Sequence, residues 1–213
     1  MSKTEVSLLP AETRNFLQAL IDSKKLPAHV KSVEDAFTIQ QMGKELGFPT
    51  MQSLHYLIPI QGKLSLSAKA TNALLRKGGV QFTTKEDGVW VYKDGTTSDI
   101  VKEDEKPIDR RTTIEFFRDG MIEVCSFTWK DAERMGLTTK DNWVRMPKEM
   151  LYARCLAKGA NRIGADLLLG LYMTEELTDS FNVDEKNIKR NEDGFVEEIV
   201  DVSHEDVTNK NAA

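Results

Sequence analysis

The chain has 213 residues, 40% of them hydrophobic and 30% charged, the balance of an ordinary globular protein. It contains no apolar run approaching the ~18 residues of a membrane span, and its start, MSKTEVSLLPAETRNF, lacks the apolar segment of a secretory signal, so a cytoplasmic protein is expected. The net charge of −5 argues against a uniformly basic nucleic-acid binder, but residues 181–213 hold nine acids against four bases, which leaves the other 180 residues balanced at 25 of each sign and able to present a basic face.

Residues 11–22 place Phe16, Leu17, Leu20 and Ile21 on one helical face, between Pro10 and Pro27. A second helix is predicted over 33–46, with Glu34 and Asp35 in its first turn and Gly47 and Pro49 ending it. His55 to Ile60 reads as a strand closing on Gln61-Gly62, and Leu66 to Lys77 returns to helical period before Gly78-Gly79. Strands are predicted at Val80–Thr84, Gly88–Tyr92, Thr112–Arg118 and Met121–Thr128, with Asp119-Gly120 as a hairpin turn between the last two. The stretch 93–111 lacks apolar periodicity and reads as a mobile loop. A short helix capped by Thr128 runs to Met135, and the longest helical signal runs from Met146 to about Ile163, with Pro147 in its first turn.

The expected class is therefore α+β: a small antiparallel sheet or hairpin packed with several helices, one of them long and basic in the C-terminal third. Residues 1–180 read as the domain and 181–213 as an acidic, flexible tail. Cys125 and Cys155 stand far apart without a secretion signal and read as reduced, buried thiols.

The long helix carries the functional argument. At 100° per residue, Arg154, Lys158, Arg162 and Lys148 fall within about 120° of arc. Met150, Ala153, Leu156, Ala157, Ala160 and Ile163 form the opposite apolar face, while Leu151 and Cys155 interrupt the basic one. Arg145 stands just before the helix and extends the cluster. Guanidinium forks and ammonium groups in a row suit a phosphate backbone, although most basic arcs are only solvated faces. A second basic group comprises Lys63, Lys69, Arg76 and Lys77, with Lys69 and Arg76 on one face of the 66–77 helix. Trp143 and Tyr152 flank the basic helix and are candidates for stacking on bases or for core packing; Trp90 and Trp129 are assigned to packing.

Four segments resemble the RecT family of phage and prophage single-strand annealing proteins. Trp143-Val144-Arg145-Met146-Pro147-Lys148-Glu149-Met150-Leu151-Tyr152-Ala153-Arg154 is similar to that family's Trp, basic pair and Pro leading into a Met-Leu-x-x-Arg helix. Gly170-Leu171-Tyr172-Met173-Thr174-Glu175-Glu176-Leu177 looks like the family's ending. Upstream, Gly47-Phe48-Pro49-Thr50-Met51-Gln52-Ser53-Leu54 and Gly62-Lys63-Leu64-Ser65-Leu66-Ser67-Ala68-Lys69 are similar to a second block. The blocks span roughly 33–178, in a chain shorter than typical members and compressed in its middle.

The resemblance implies ATP-independent binding of single-stranded DNA and annealing of complements for recombination, by a ring or filament of identical subunits. It implies no cofactor. By position it gives a DNA role to Lys148, Arg154, Lys158 and Arg162, and to Lys63, Lys69 and Arg76. The acidic tail would then recruit a host single-strand binding protein or a paired exonuclease, or simply keep the protein soluble. Two other functions remain in view. A passive single-strand coating protein would carry the same basic surface. A metal-dependent nuclease would need convergent carboxylates, for which Glu115, Asp119 and Glu123 are the candidates. His29, His55 and His204 are scattered without metal-site spacing, and no glycine-rich phosphate loop is present.

Overall fold

A computed structural model describes residues 9–181, 188–190 and 196–199. The fold is α+β. Its helices are α1 (Ala11–Asp22), α2 (Val33–Glu45), α3 (Thr50–Tyr56), α4 (Ala68–Lys77), α5 (Trp129–Arg134), α6 (Asp141–Arg145), α7 (Pro147–Ile163), α8 (Ala165–Leu168) and α9 (Thr174–Phe181). Its strands are β1 (Leu57–Ile60), β2 (Lys63–Leu66), β3 (Gln81–Val91), β4 (Thr97–Ser98), β5 (Asp109–Arg118), β6 (Met121–Thr128), β7 (Tyr172–Met173), β8 (Ile188–Arg190) and β9 (Val196–Ile199). The main sheet has the order β4-β3-β5-β6; a smaller one runs β1-β2-β7, and β8 pairs with β9.

Local chemistry explains most boundaries. The Ser32 hydroxyl accepts the Asp35 amide while the Asp35 carboxylate accepts the Ser32 amide, a reciprocal cap that starts α2. The β5–β6 hairpin turns on Asp119 and Gly120, at φ 50° and 82°, as an Asp-Gly pair predicts. The β1–β2 hairpin turns in the same left-handed region on Gln61 and Gly62. Thr128 and Asp131 form a second reciprocal cap where β6 passes into α5. Thr128→Ala is expected to cost about 1 kcal/mol and lower the melting temperature by about 2–4 °C; an unchanged thermal melt would show that the cap contributes nothing.

Several expectations need correction. The strand foreseen at 55–60 begins only at Leu57, because α3 starts behind Pro49 and runs through Tyr56. Lys63–Leu66 is a strand, paired with β1 on one side and β7 on the other. The two strands foreseen at 80–84 and 88–92 are one, because β-bulges between Thr84 and Val89 absorb the irregular residues and keep β3 paired with β5. The loop foreseen at 93–111 is shorter and tethered. The buried Tyr92 hydroxyl accepts the Lys102 amide at 2.7 Å and donates to the Ile100 carbonyl at 3.3 Å.

The 181–213 tail was expected to lack structure. Instead, Val196 and Ile199 of β9 pack with Ile58, Ile60 and Leu177 in a second apolar cluster, so part of that segment belongs to the fold. The remaining acidic stretches, 182–187, 191–195 and 200–213, lie outside the described residues, and with them the question of recruitment.

Helix α7 is the centre of the molecule. It packs on β3, β5 and β6 on one side and meets α4, α8 and α9 on others. The sheet approaches so closely at Gly159 that a Cβ there would stand 2.0 Å from the Phe116 ring. Trp143, fully buried, stacks obliquely with Phe127 and edge-on with Trp129 beneath the start of the helix. Cys125 and Cys155 are buried free thiols, the latter donating to the Cys125 carbonyl at 3.1 Å, and burial pushes Cys155 up to about 12.

Candidate nucleic-acid interface

The four cations of α7 do not form one open row. Lys148 reaches back to β3, where its ammonium lies 2.8 Å from the Asp87 carboxylate. Arg154 is turned inward: its side chain is 10% exposed and bonds at 3.1 Å to Asp179 of α9, itself 4% exposed. Lys158 donates to the Ser126 carbonyl on β6, and Arg162 pairs with Glu123 of the same strand, holding that carboxyl below its ordinary value. Since β5 lies between β3 and β6, Lys148 stands on one flank of the helix and Lys158 with Arg162 on the other.

The expectation of a single phosphate-tracking face on α7 is corrected accordingly. Helical phase alone cannot foresee a helix packed on several sides, where a cation in the basic arc meets an acid from another element.

The outlying candidates are dispersed. Arg145 pairs with Asp141 within α6. Lys63 is exposed on β2 and Lys69 on α4. Lys77 donates to the Gly47 carbonyl. Arg76, at the end of α4, places its guanidinium 5.0 Å from the centre of the Phe82 ring on β3.

That last contact opens a different assembly along the β3 border of α7. Residues 110, 112, 114 and 116 of β5 share one face of the sheet, and Ile114 and Phe116 of that face are buried in the core with α7. Phe82 pairs across from Phe116 at one end, and Trp90 pairs across from Arg110 at the other. The Arg110 guanidinium lies 4.9 Å from the centre of the Trp90 ring, and its Nε donates to the Gly88 carbonyl at 2.8 Å.

Between those ends sit Tyr152 and Lys148 of α7. A Cβ on Gly88 would stand 2.7 Å from the Lys148 side chain, so Gly88 at φ 62° provides both the bulge and the room for that lysine. Burial raises the Tyr152 phenol, Asp87 raises it further and Arg76 lowers it, which puts the ring within electrostatic reach of both neighbouring groups. The result is a strip that gathers Arg76, Lys148 and Arg110 with Phe82, Tyr152 and Trp90, of which Phe82 and Tyr152 also pack against the core.

No protein-family model, curated protein or solved structure matches this chain.

Two members of the strip are held in states suited to an anion. The Lys148–Asp87 pair is half-exposed, and an exposed pair of this kind is worth only about 0–1 kcal/mol, so phosphate can exchange for the carboxylate. Arg110 is pulled below its ordinary pKa by burial and raised again by Glu149 and Asp87, yet among the described residues no carboxylate lies within ion-pair distance of it. A partly desolvated guanidinium with unused donors is a strong donor site for a phosphate or the acceptor edge of a base.

Sequence reasoning passes over Arg110 and Trp90; Trp129, assigned to packing, does pack against the core and Trp143. Arg110 falls in a segment that reads as loop; the cross-strand register of β3 and β5 joins it to Trp90, and the pairing of β5 with β6 brings Trp129, next to Thr128, to the same end.

The carboxylates weighed for a nuclease do not converge. Glu115 lies on the outer face of the main sheet and pairs with Lys85, whereas Glu123 lies opposite the inward Phe116 and pairs with Arg162. Asp119 sits in the turn beside Arg118. Among the described residues no group of three His, Cys, Asp or Glu side chains could hold a metal ion, and no helix is long and apolar enough to cross a membrane.

Proposed function

We propose that this protein binds single-stranded DNA along the Arg76–Arg110 strip and anneals complementary strands without nucleotide hydrolysis, acting as a homo-oligomer of the RecT type. The observation that carries the binding reading is the gathering of three cations and three partly exposed rings beside α7. Single strands are held without sequence preference where cations meet the backbone and rings take the unstacked bases. Annealing and self-assembly rest on the sequence resemblance; annealing also requires that phosphates be gripped while most base edges stay free to test a second strand.

A labelled oligonucleotide titrated by anisotropy at several salt concentrations tests the strip. Arg76→Gln with Lys148→Gln is expected to weaken binding and to reduce the salt slope by about 1.4, from about 0.7 per phosphate contact on a single strand. Lys158→Gln with Arg162→Gln, on the other flank of α7, leaves binding near wild type. The reverse pattern would move the interface to β6. Mixing complementary oligonucleotides then separates annealing from coating: an annealing protein accelerates duplex formation, and a coating protein retards it.

A further inference from the structure

Just beyond the start of α7 the strip ends in a cavity of about 360 Å³, lined by Trp90, Pro107, Ile108, Asp109, Arg110, Trp129 and Pro147. This volume is at the lower end of ligand-sized cavities, roughly 300–1,000 Å³. Its walls are mainly apolar and include two indoles, with polar groups of both kinds at hand. Arg110 has donors beyond the one Nε bond to Gly88. Asp109 uses Oδ1 to accept the Arg110 and Lys130 amides at 2.8 and 3.2 Å, and its Oδ2 has no hydrogen bond among the described residues.

We propose that this cavity receives one unstacked nucleobase of the bound strand, resting on the indoles of Trp90 and Trp129 and hydrogen-bonded at its rim by Arg110 and Asp109. The inference rests on the strand-binding reading above and adds a site to it. A flat ring with donors and acceptors around its edge matches flat apolar walls with one donor and one acceptor group. An aliphatic chain would leave the guanidinium and carboxylate desolvated without partners, which is costly.

The surroundings fit. Pro147, in the wall, is followed by Lys148, so a phosphate on that lysine lies next to the cavity mouth. Both polar groups are positioned by backbone contacts: Arg110 by the Gly88 carbonyl and Asp109 by two amides, one of them at the start of α5. Trp129 is braced from behind by Trp143 at a centroid distance of 6.1 Å. The cavity therefore has fixed walls, and a base entering it loses little to rearrangement of the protein.

The test compares oligothymidylate with an abasic deoxyribose-phosphate strand of equal length, bound to the full chain and to Trp90→Leu. Each stacked base is worth about five- to a hundredfold in affinity. Trp90→Leu is expected to reduce the preference for the thymidylate strand over the abasic strand by at least about fivefold. If Trp90→Leu retains the wild-type preference, or loses affinity for both strands equally, the cavity takes no base. If the wild type binds neither strand, the strand-binding reading itself fails and the cavity proposal falls with it. Should Trp90→Leu not fold, Arg110→Gln and indole fluorescence of the wild type decide: quenching by oligothymidylate but not by the abasic strand supports the site, and equal quenching overturns it.

Discussion

Replacing Arg154 with Ala is expected to remove about 3–5 kcal/mol of folding stability, the usual cost of breaking a buried ion pair by deleting one partner. The Arg154–Asp179 pair joins α7 to α9 with both side chains nearly inaccessible. Lys140 adds a second cation to the same acid, its ammonium donating to the Asp179 carbonyl at 2.6 Å and standing 3.6 Å from its carboxylate. Without Arg154, Asp179 keeps Lys140 but loses its nearer partner, and the vacated space lies in a packed interior. For a chain of this length the melting temperature should fall by roughly 6–20 °C, at about 2–4 °C per kcal/mol.

Asp179→Ala should cost a similar amount, and the double variant should cost less than the two losses added together, since the second substitution removes a charge that has already lost its partner across the α7–α9 contact. Thermal melts of the three variants check this. Additive losses would show that the pair is not coupled. The same substitution distinguishes two roles for Arg154: folded Arg154→Ala protein should bind single-stranded DNA as well as the wild type, whereas a phosphate-contacting arginine would lose affinity without loss of stability.

Glu175→Gln is expected to stabilise the protein at pH 7.5 and to leave it unchanged at pH 4.5. Glu175 is 2% exposed; one carboxylate oxygen accepts the Val196 amide at 3.0 Å, and Oε2 has no hydrogen-bond partner among the described residues. Burial raises its pKa from 4.5 to about 6; hydrogen bonds and Arg190 of β8 oppose that shift, while Asp179 adds to it. Because folding raises this pKa, the folded state binds the proton more tightly than the unfolded one. The contribution to stability is present below pH 4.5 and is lost as pH rises through about 6.

The difference corresponds to about 2 kcal/mol. A neutral amide keeps the acceptor for Val196 and carries no charge to desolvate, so the gain should grow from pH 4.5 to about 6 and level off above that. Glu86, Glu123 and Asp166, whose carboxyls are held low mainly by Arg111, Arg162 and Arg118, pull the pH profile of both proteins the opposite way and cancel in the comparison. Denaturant titrations at the two pH values measure it. Lower stability of Glu175→Gln at pH 7.5 would mean that Arg190 holds the ionised carboxylate strongly enough to outweigh its burial. Either result reports on the β8–β9 hairpin, since the Glu175 contact to Val196 is one of its attachments to α9.

Most elements of the fold were legible in the sequence, because their signals are local. Helix periodicity around Leu17, the Ser32 and Thr128 caps, the Asp119-Gly120 turn and Pro147 at a helix start all act within a few residues of themselves. The elements that were missed have weak local signals. Strand β2 is four residues long and is defined by its partners, and β3 reads as two strands because its bulges interrupt the alternation. The β8–β9 hairpin lies in an acidic segment whose few apolar residues matter only because Ile58, Ile60 and Leu177 present a complementary surface.

The sequence by itself determined an α+β chain, a neutral body with an acidic end, two buried thiols and a long helix rich in cations. Tertiary structure alone decided which of those cations meet solvent. Arg154 shares the basic arc with Lys148 and Arg162, but its partner, Asp179 of α9, is buried with it, whereas Asp87 and Glu123 hold the other two at a half-exposed surface. The same holds for Trp90 and Arg110, twenty residues apart and cross-strand neighbours through the bulged register of β3 on β5. A side chain's partner at long range is set by how elements pack, and no pattern confined to one element encodes it.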